Sequence, residues 1–470
     1  MHTECTGNGL RFQEVADRSV VARFDGGALT SDGGAVLLRE VERATGILQQ
    51  FAACFHDHRD PARITHSVPS LVRQRVYGLA LGYEDLNDHD ALRHDPLFAL
   101  LAESAAFGDP TAALAGKSTL NRLELSGATI ADAERYKKIA VDHAAVDQLL
   151  VDLLIQAHPT APEAIVLDLD ATDDPVHGAQ EGRFFHGYYG QYCYLPLYIF
   201  AGEHLLCARL RPANIDASAG ALEEVDRIVA QLRAVWPTVA ITLRADSGFC
   251  REALMGWCDA HAVDYVFGLA KNERLVALIA DELAAADAAC AATGQAARVF
   301  AELRYQTRAS WTCARRVVAK AEQLTPSTST DEGKRNPRFV VTSLRSATID
   351  ARTLYEDLYC ARGEMENRIK EQQLMLFADR TSAATMRANQ LRLYCSSIAY
   401  ILLHALRRLA LSGTALARAQ CQTIRLTLLK LGARVRVTTR KVWIALASGC
   451  PHAALFARVH AALIALPRRC

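Results

Sequence analysis

Carboxylates are missing from the last fifth of this chain. From Arg380 to Cys470 there are thirteen Arg and two Lys but no Asp or Glu, a local charge of +15 in a 470-residue protein whose net charge is only +1. The remainder is therefore acidic, at −14. Solubility alone does not call for so long a stretch without a carboxylate. Its simplest partner is a polyanion, and nucleic acid is the obvious one. A basic domain docked on an acidic remainder is the alternative reading of the same pattern.

Other absences narrow the class further. No apolar run reaches the twenty or so residues that a membrane span needs; the run at 398–406 is broken by His404 and then by Arg407 and Arg408. No membrane partner is expected. The first residues, MHTECTGNGLRFQEV, lack a basic region followed by an apolar core, so no secretory signal is expected and a cytoplasmic location is. Thirteen cysteines include no C-x-x-C pair, and an odd count argues against a complete disulfide framework. Reduced thiols fit better than metal ligands. A composition 50% hydrophobic and 22% charged is that of a soluble globular protein, and the length suggests roughly two to four domains.

In chain order, residues 20–24 are β-like, and a Gly-rich stretch follows at 25–34. No Walker-type lysine follows it, so it reads as a turn in which Ser31 or Asp32 caps a helix over 35–45. Helical patterns continue through 70–82, 85–93, 97–104, 117–124 and 132–156, making an all-helical region of about 150 residues. The clusters His56-Asp57-His58-Arg59-Asp60, Asp88-His89-Asp90 and His94-Asp95 sit at helix junctions before Pro61 and Pro96. Their position and the interleaved Arg residues favour caps and salt bridges over metal sites.

From Pro162 the texture changes. Residues 164–170, AIVLDLD, alternate, with Ile165, Leu167 and Leu169 facing one way and Val166, Asp168 and Asp170 the other. A Gly-rich aromatic loop (177–190) leads to strands at 192–200 and 204–210, a helix at 217–236, and the strand 240–246, AITLRAD, ending in Asp246. A helix at 251–261 and a strand at 264–269 complete the set. Three strands, helix, strand, helix, strand is the succession of a ribonuclease-H-like α/β fold, with an antiparallel meander extended by parallel strands. Ser247 and Gly248 let the chain turn sharply and leave Asp246 at the strand's C-terminal edge. Residues 298–307, 309–320 and 338–344 read as a small antiparallel sheet inserted into that domain. Between them runs the polar loop 325–337, which contains Lys334 and Arg335. Helices resume at 386–408 and 424–430, and 433–442 is the most basic part of the tail.

The stretch 359–373, YCARGEMENRIKEQQ, reads as a helix, with Tyr359, Arg362, Glu366, Lys370 and Gln373 on one face. Alone it reads rather as a solvated face with an i,i+4 Glu–Lys pair. Two upstream strands that end in aspartates change its meaning. Phosphodiester cleavage needs charge neutralised at the transferring phosphate and at the attacking and leaving oxygens. Two divalent ions about 4 Å apart do this, held by clustered carboxylates. Asp170, Asp246 and Glu366 would supply oxygen-only ligation suited to Mg²⁺ or Mn²⁺. Each aspartate alone could equally be a strand-end cap.

These residues resemble bacterial insertion-sequence transposases of the DDE type, in the subgroup with a Tyr-x2-Arg-x3-Glu-x6-Lys pattern and a β-rich insertion in a ribonuclease-H-like core. Asp170-Ala171-Thr172 matches the first motif, Arg244-Ala245-Asp246-Ser247-Gly248-Phe249 the second, and Tyr359, Arg362 and Glu366 the third. Stretches 29–42 and 79–96 also match, so the resemblance covers nearly the whole chain. It implies cut-and-paste DNA transposition, with metal-dependent cleavage followed by strand transfer through the freed 3′-hydroxyl. Asp170, Asp246 and Glu366 would be the catalytic metal ligands for two ions, with Asp168 a rival for Asp170 on the same face. Arg362 and Lys370 would contact DNA phosphate, and Tyr359 would act near the transposon end. Gln373 stands where the family has a phosphate-binding lysine; it can hydrogen-bond a phosphate but not neutralise it.

The implied partners are double-stranded DNA (terminal inverted repeats and target) and a second copy of the chain on that DNA. The implied setting is the bacterial cytoplasm at the nucleoid. The expected organisation is a helical region at 1–160 for end recognition and dimer contacts, a catalytic core at 161–295 and 346–378, an inserted β subdomain at 296–345, and a basic helical region at 379–470. A ribonuclease-H-like nuclease without strand transfer, or a DNA-binding relic, would share these residues.

Overall fold

A computed structural model describes residues 9–104, 107–109, 112–127, 138–325 and 334–468. The first eight residues, the start of the helix expected from 132 and most of the loop expected at 325–337 lie outside these. The chain divides into two compact units. Ala140–His404 makes up most of one, and the chain up to Leu123 together with Ala405 onward makes up the other.

The first unit is built on an eight-stranded mixed sheet. Its strands are β1 (Ala164–Ala171), β2 (Leu197–Ala201), β3 (His204–Arg209), β4 (Ala240–Ala245), β5 (Asp264–Leu269), β6 (Ala297–Tyr305), β7 (Arg315–Gln323) and β8 (Arg338–Thr342), in the spatial order β3-β2-β1-β4-β5-β8-β7-β6. β1, β2 and β3 form an antiparallel meander, while β4 and β5 are added in parallel beside β1. Parallel neighbours need a crossover, and α1 (Ala221–Val235) and α2 (Glu252–Ala260) provide it. The alternation in β1 places Ile165, Leu167 and Leu169 in a core with Val225, Ile228, Val229 and Leu232 of α1. Each such fully buried aliphatic side chain contributes about 1.5–3 kcal/mol. The opposite face of β1 is left to its aspartates.

Three expectations are corrected here. The inserted strands do not form a sheet of their own. β8 pairs antiparallel with β5, Phe267 opposite Val341, and β7 and β6 follow, so the insertion extends the main sheet. An unextended β5 would present a row of unpaired N–H and C=O groups, and β8, with Phe339, Val340 and Val341 all buried, completes them. The strand expected over 192–200 breaks at Pro196, which has no N–H to give a ladder. Gln191–Tyr194 pairs instead with Asp174–Pro175 and with Phe184–His186 in a small separate sheet, and β2 begins at Leu197.

The third correction concerns the flanking regions, which are not mainly helical throughout. The second unit does contain Val36–Thr45, Ile47–Ala53, Val68–Ala80 and Ala453–Ile464 as helices. It also has a hairpin, Leu10–Val15 with Arg18–Ala22, closed by Ala16 and Asp17 at φ 48° and 60°. In the basic tail, β9 (Ala433–Val437) and β10 (Val442–Leu446) pair antiparallel, because Ala-Arg-Val-Arg-Val alternates with a period of two and is rich in β-branched residues. Asp32 does not cap a helix. It is fully buried, with the Lys430 ammonium at 2.8 Å and the Tyr83 hydroxyl donating to it at 2.7 Å. The neighbouring glycines answer to close approach: a Cβ on Gly34 would lie 1.8 Å from the Leu428 carbonyl oxygen. The His/Asp clusters serve as caps and pairs. Asp60 and Asp95 cap the segments begun by Pro61 and Pro96, and Asp57 pairs with Arg59 at 2.6 Å.

Candidate active site

The register of β1 against β4 sets the site. Arg244 lies opposite Asp168 and Ala245 opposite Leu169. One step further, Asp246 leaves β4 beside Asp170. Alternation puts all four polar side chains on the face away from the Ile165–Leu167–Leu169 core. Helical residues 351–375 pack on that face. Leu354 and Tyr355 cluster with Val266, Val318 and Val340, and Met365 and Ile369 are buried.

Asp350 starts this helical run by accepting from the Arg352 and Thr353 N–H groups at 3.0 and 3.1 Å. The run is not the uniform α-helix expected over 359–373. Leu354–Tyr359 and Glu371–Met375 are π-turns flanking the α-helix Gly363–Lys370. Such wide turns shift the facing of residues on either side of them. Arg362, Glu366, Lys370 and Gln373 therefore line a common cavity, while Tyr359 stands just outside it. The Tyr359 hydroxyl lies against Gly268. A Cβ at Gly268 would come within 2.6 Å of that hydroxyl and 2.9 Å of the Ser247 nitrogen, so only glycine admits this packing.

The cavity, of about 440 Å³, is also lined by Asp170 and Asp246. Asp246 accepts from the Gly248 N–H at 2.8 Å, which holds its carboxylate at the strand end. Asp170 accepts from the Ala171 N–H at 3.0 Å. Arg362 reaches both remaining acids, at 2.8 Å from Glu366 and 3.5 Å from Asp170. Glu366 thus pairs with the residue four before it, and the exposed Lys370 is left out of that pair. Burial, together with Asp246 and Glu366, pushes the Asp170 carboxyl up to about 7, against the pull of Arg362.

Asp168, the rival on the same face, is engaged differently. It is buried and bound bidentately by Arg244, at 2.5 and 2.8 Å. Arg244 also donates to the Leu358 carbonyl at 2.5 Å, so the pair bolts β1, β4 and the helical run together. Gln373 is engaged within the protein. Its amide donates to the Asp173 carbonyl at 3.0 Å and to Asp174 Oδ1 at 2.8 Å, which commits both amide hydrogens inside the protein. Asp174 is fully buried, and burial pushes its carboxyl up to about 8.

Among the described residues no three of His, Cys, Asp and Glu converge closely enough to hold a metal ion as the side chains stand. Arg362 lies between two of the acids instead. The donor set nevertheless fits an oxygen-preferring divalent cation, because Asp170 faces two further carboxylates with only one arginine to balance them. Sequence reasoning passed over His186, Tyr188 and Tyr189, which line the same cavity. The signal was the aromatic run Phe184-Phe185-His186-Gly187-Tyr188-Tyr189 placed shortly after the first aspartate.

The family model described as transposase DDE domain group 1 matches residues 12–468. The chain belongs to that family. A search of curated proteins finds no match. Among solved structures, this transposase-family chain is similar to a piggyBac transposase synaptic complex with hairpin DNA, studied by cryo-electron microscopy. That similarity has 10% identity and a TM-score of 0.42, and covers 85% of this chain and 79% of the other. Among the described residues, no helix of this family member is long and apolar enough to cross a membrane.

Proposed function

We propose that this chain is a DNA transposase of the insertion-sequence kind, which binds the inverted-repeat ends of a mobile element and carries out DNA cleavage and strand transfer on a ribonuclease-H-like core. The observation that carries this reading is the facing of Asp170, Asp246 and Glu366 into one cavity, in a chain of the transposase DDE family. The strand succession β3-β2-β1-β4-β5 supports the fold assignment.

Asp170, Asp246 and Glu366 would hold Mg²⁺ or Mn²⁺, which when bound would neutralise charge on the phosphate and on the attacking and leaving oxygens. Arg362 turns from its carboxylate partners to the scissile phosphate, and Lys370 meets the backbone from the exposed end of the same face. Because both amide hydrogens of Gln373 are taken, the phosphate contact of the family's lysine falls to Lys370. Tyr359, packed on Gly268, fixes the position of the helical run beside Asp246. Water attacks the phosphorus in line and displaces the 3′-oxygen of the element end; that 3′-hydroxyl then attacks a phosphorus of target DNA and displaces the target strand's 3′-oxygen, with no covalent protein intermediate. Joining two ends calls for a dimer on DNA.

The test uses labelled DNA flanking this protein's own coding region, incubated with purified protein and Mg²⁺, comparing wild type with Asp246→Ala. End-specific cleavage and joined products from wild type alone support the proposal. Cleavage without joining points to a nuclease, and binding without cleavage by both proteins points to a relic.

A further inference from the structure

The β9–β10 ribbon has two unlike faces. Its register sets Val435 opposite Ile444 and Arg436 opposite Trp443. Ala433 and Val435 are buried, and Ile444 and Leu446 half-buried, over Gly33, where a Cβ would come within 2.6 Å of the Ala433 side chain. The other face carries Arg434, Arg436 and Trp443, all exposed. The tip is tightly closed. The Thr438 N–H and hydroxyl both donate to the Lys441 carbonyl, at 2.8 and 2.7 Å, and the Lys441 N–H donates back to the hydroxyl at 3.1 Å. Arg440 and Lys441 project there, and the Lys441 ammonium lies 5.4 Å over the Trp443 ring.

Among the described residues none of these four cations pairs with a carboxylate, and the chain from Arg380 on contains none. Like charges crowded on one ribbon face repel, and fold stability does not require them, since threonine would keep the alternation. Protection of a sheet edge explains Lys441 beside the edge strand β10. It does not explain Arg434 on β9, which lies between Ala445 of β10 and Leu29. A rigid, amphipathic, two-stranded ribbon with unneutralised guanidinium groups and an exposed indole has the dimensions and charge to enter the major groove of duplex DNA.

We infer that the β9–β10 ribbon is a duplex-DNA docking element, with Arg434, Arg436, Arg440 and Lys441 on backbone phosphates and Trp443 against the groove wall. The inference rests on the DNA-processing reading above and adds to it a second contact surface, separate from the carboxylate cavity. It is tested on the full-length protein carrying Arg436→Ala, Arg440→Ala and Lys441→Ala together. All three sites are exposed, and an unchanged melting curve verifies folding.

Binding to a fluorescent random-sequence duplex of about 40 base pairs is followed by anisotropy over a range of NaCl concentrations, where each phosphate contact contributes about 0.9 to the salt slope. The expected result is a slope shallower by about 2–3 and an affinity at least about thirty-fold weaker at low salt. Asp246→Asn is expected to keep the wild-type slope. A triple variant with the wild-type slope overturns the ribbon assignment, even where end cleavage in the same preparation upholds the proposed function. A lowered slope in a protein that cleaves nothing upholds the ribbon while the catalytic reading falls. An unchanged slope with loss of a dimer in sedimentation assigns the ribbon to contact between copies and overturns its DNA role.

Discussion

Asp168 and Asp170 leave the same face of β1 two residues apart, and each meets an arginine, yet the two pairs are opposites. Arg244 closes on Asp168 with two short bonds, and both side chains are over nine-tenths hidden. Arg362 stands 3.5 Å from Asp170, shares itself with Glu366, and faces an open cavity. The first pair is satisfied and fastens three elements. The second is left with more negative charge than its arginine can balance. Residues of one type on one strand face thus differ by their partners: the inner carboxylate has an arginine to itself, and the outer one shares its arginine with Glu366 where β1 and β4 end.

The comparison breaks most sharply in activity. Asp170→Asn and Asp246→Asn are each expected to lower end cleavage on the order of 10³-fold while keeping the cooperative fold. Asp168→Asn is expected to act mainly through stability, losing about 3–5 kcal/mol because Arg244 is left buried and unpaired. Chemical denaturation distinguishes these cases. Restoration of most of that loss by Asp168→Leu combined with Arg244→Met would confirm a structural role.

A pH titration sharpens the contrast. The Asp170 carboxyl, held near 7 when folded against 3.8 ordinarily, binds its proton more tightly in the fold than in the unfolded chain. Its ionisation therefore destabilises the metal-free protein progressively as pH rises from about 4 to 7. Asp170→Asn is expected to be more stable than wild type at pH 8, on the order of 2 kcal/mol, and indistinguishable from it near pH 4. Added Mg²⁺ should narrow the gap at pH 8, and thermal melts with and without the metal would show it. The smallest effect is expected at Lys370→Ala, about ten-fold in DNA binding at low salt and little in stability, because this exposed lysine has only the ligand to lose.

Much of this architecture is written in local pattern. The alternation of 164–170 foretells both the core face and the aspartate face, the Ser247-Gly248 turn foretells the exposed end of β4, and of the five residues spaced along one face at 359–373 all but Tyr359 line one cavity. Other features left no local trace. Asp168 and Asp170 are indistinguishable by alternation, and only the parallel register that sets Arg244 opposite Asp168 separates them. The partners of the Gln373 amide, the Asp173 carbonyl and Asp174, lie about two hundred residues earlier in the chain. The extension of the main sheet by β8 depends on the unpaired edge of β5, which lies about seventy residues earlier in the chain. The tail's ribbon follows the period of two in Arg-Val-Arg-Val.

By itself the sequence determined the periods and the turns, besides the charge imbalance and the family membership that the whole chain carries. The periods and the turns depend on residues within a few positions of one another, where sterics and hydrogen-bonding geometry act directly. Only the tertiary structure decided which acid has an arginine to itself and which shares one. That depends on strand register, which sets Arg244 against Asp168 alone, and on the helical run, which makes Asp170 share Arg362 with Glu366.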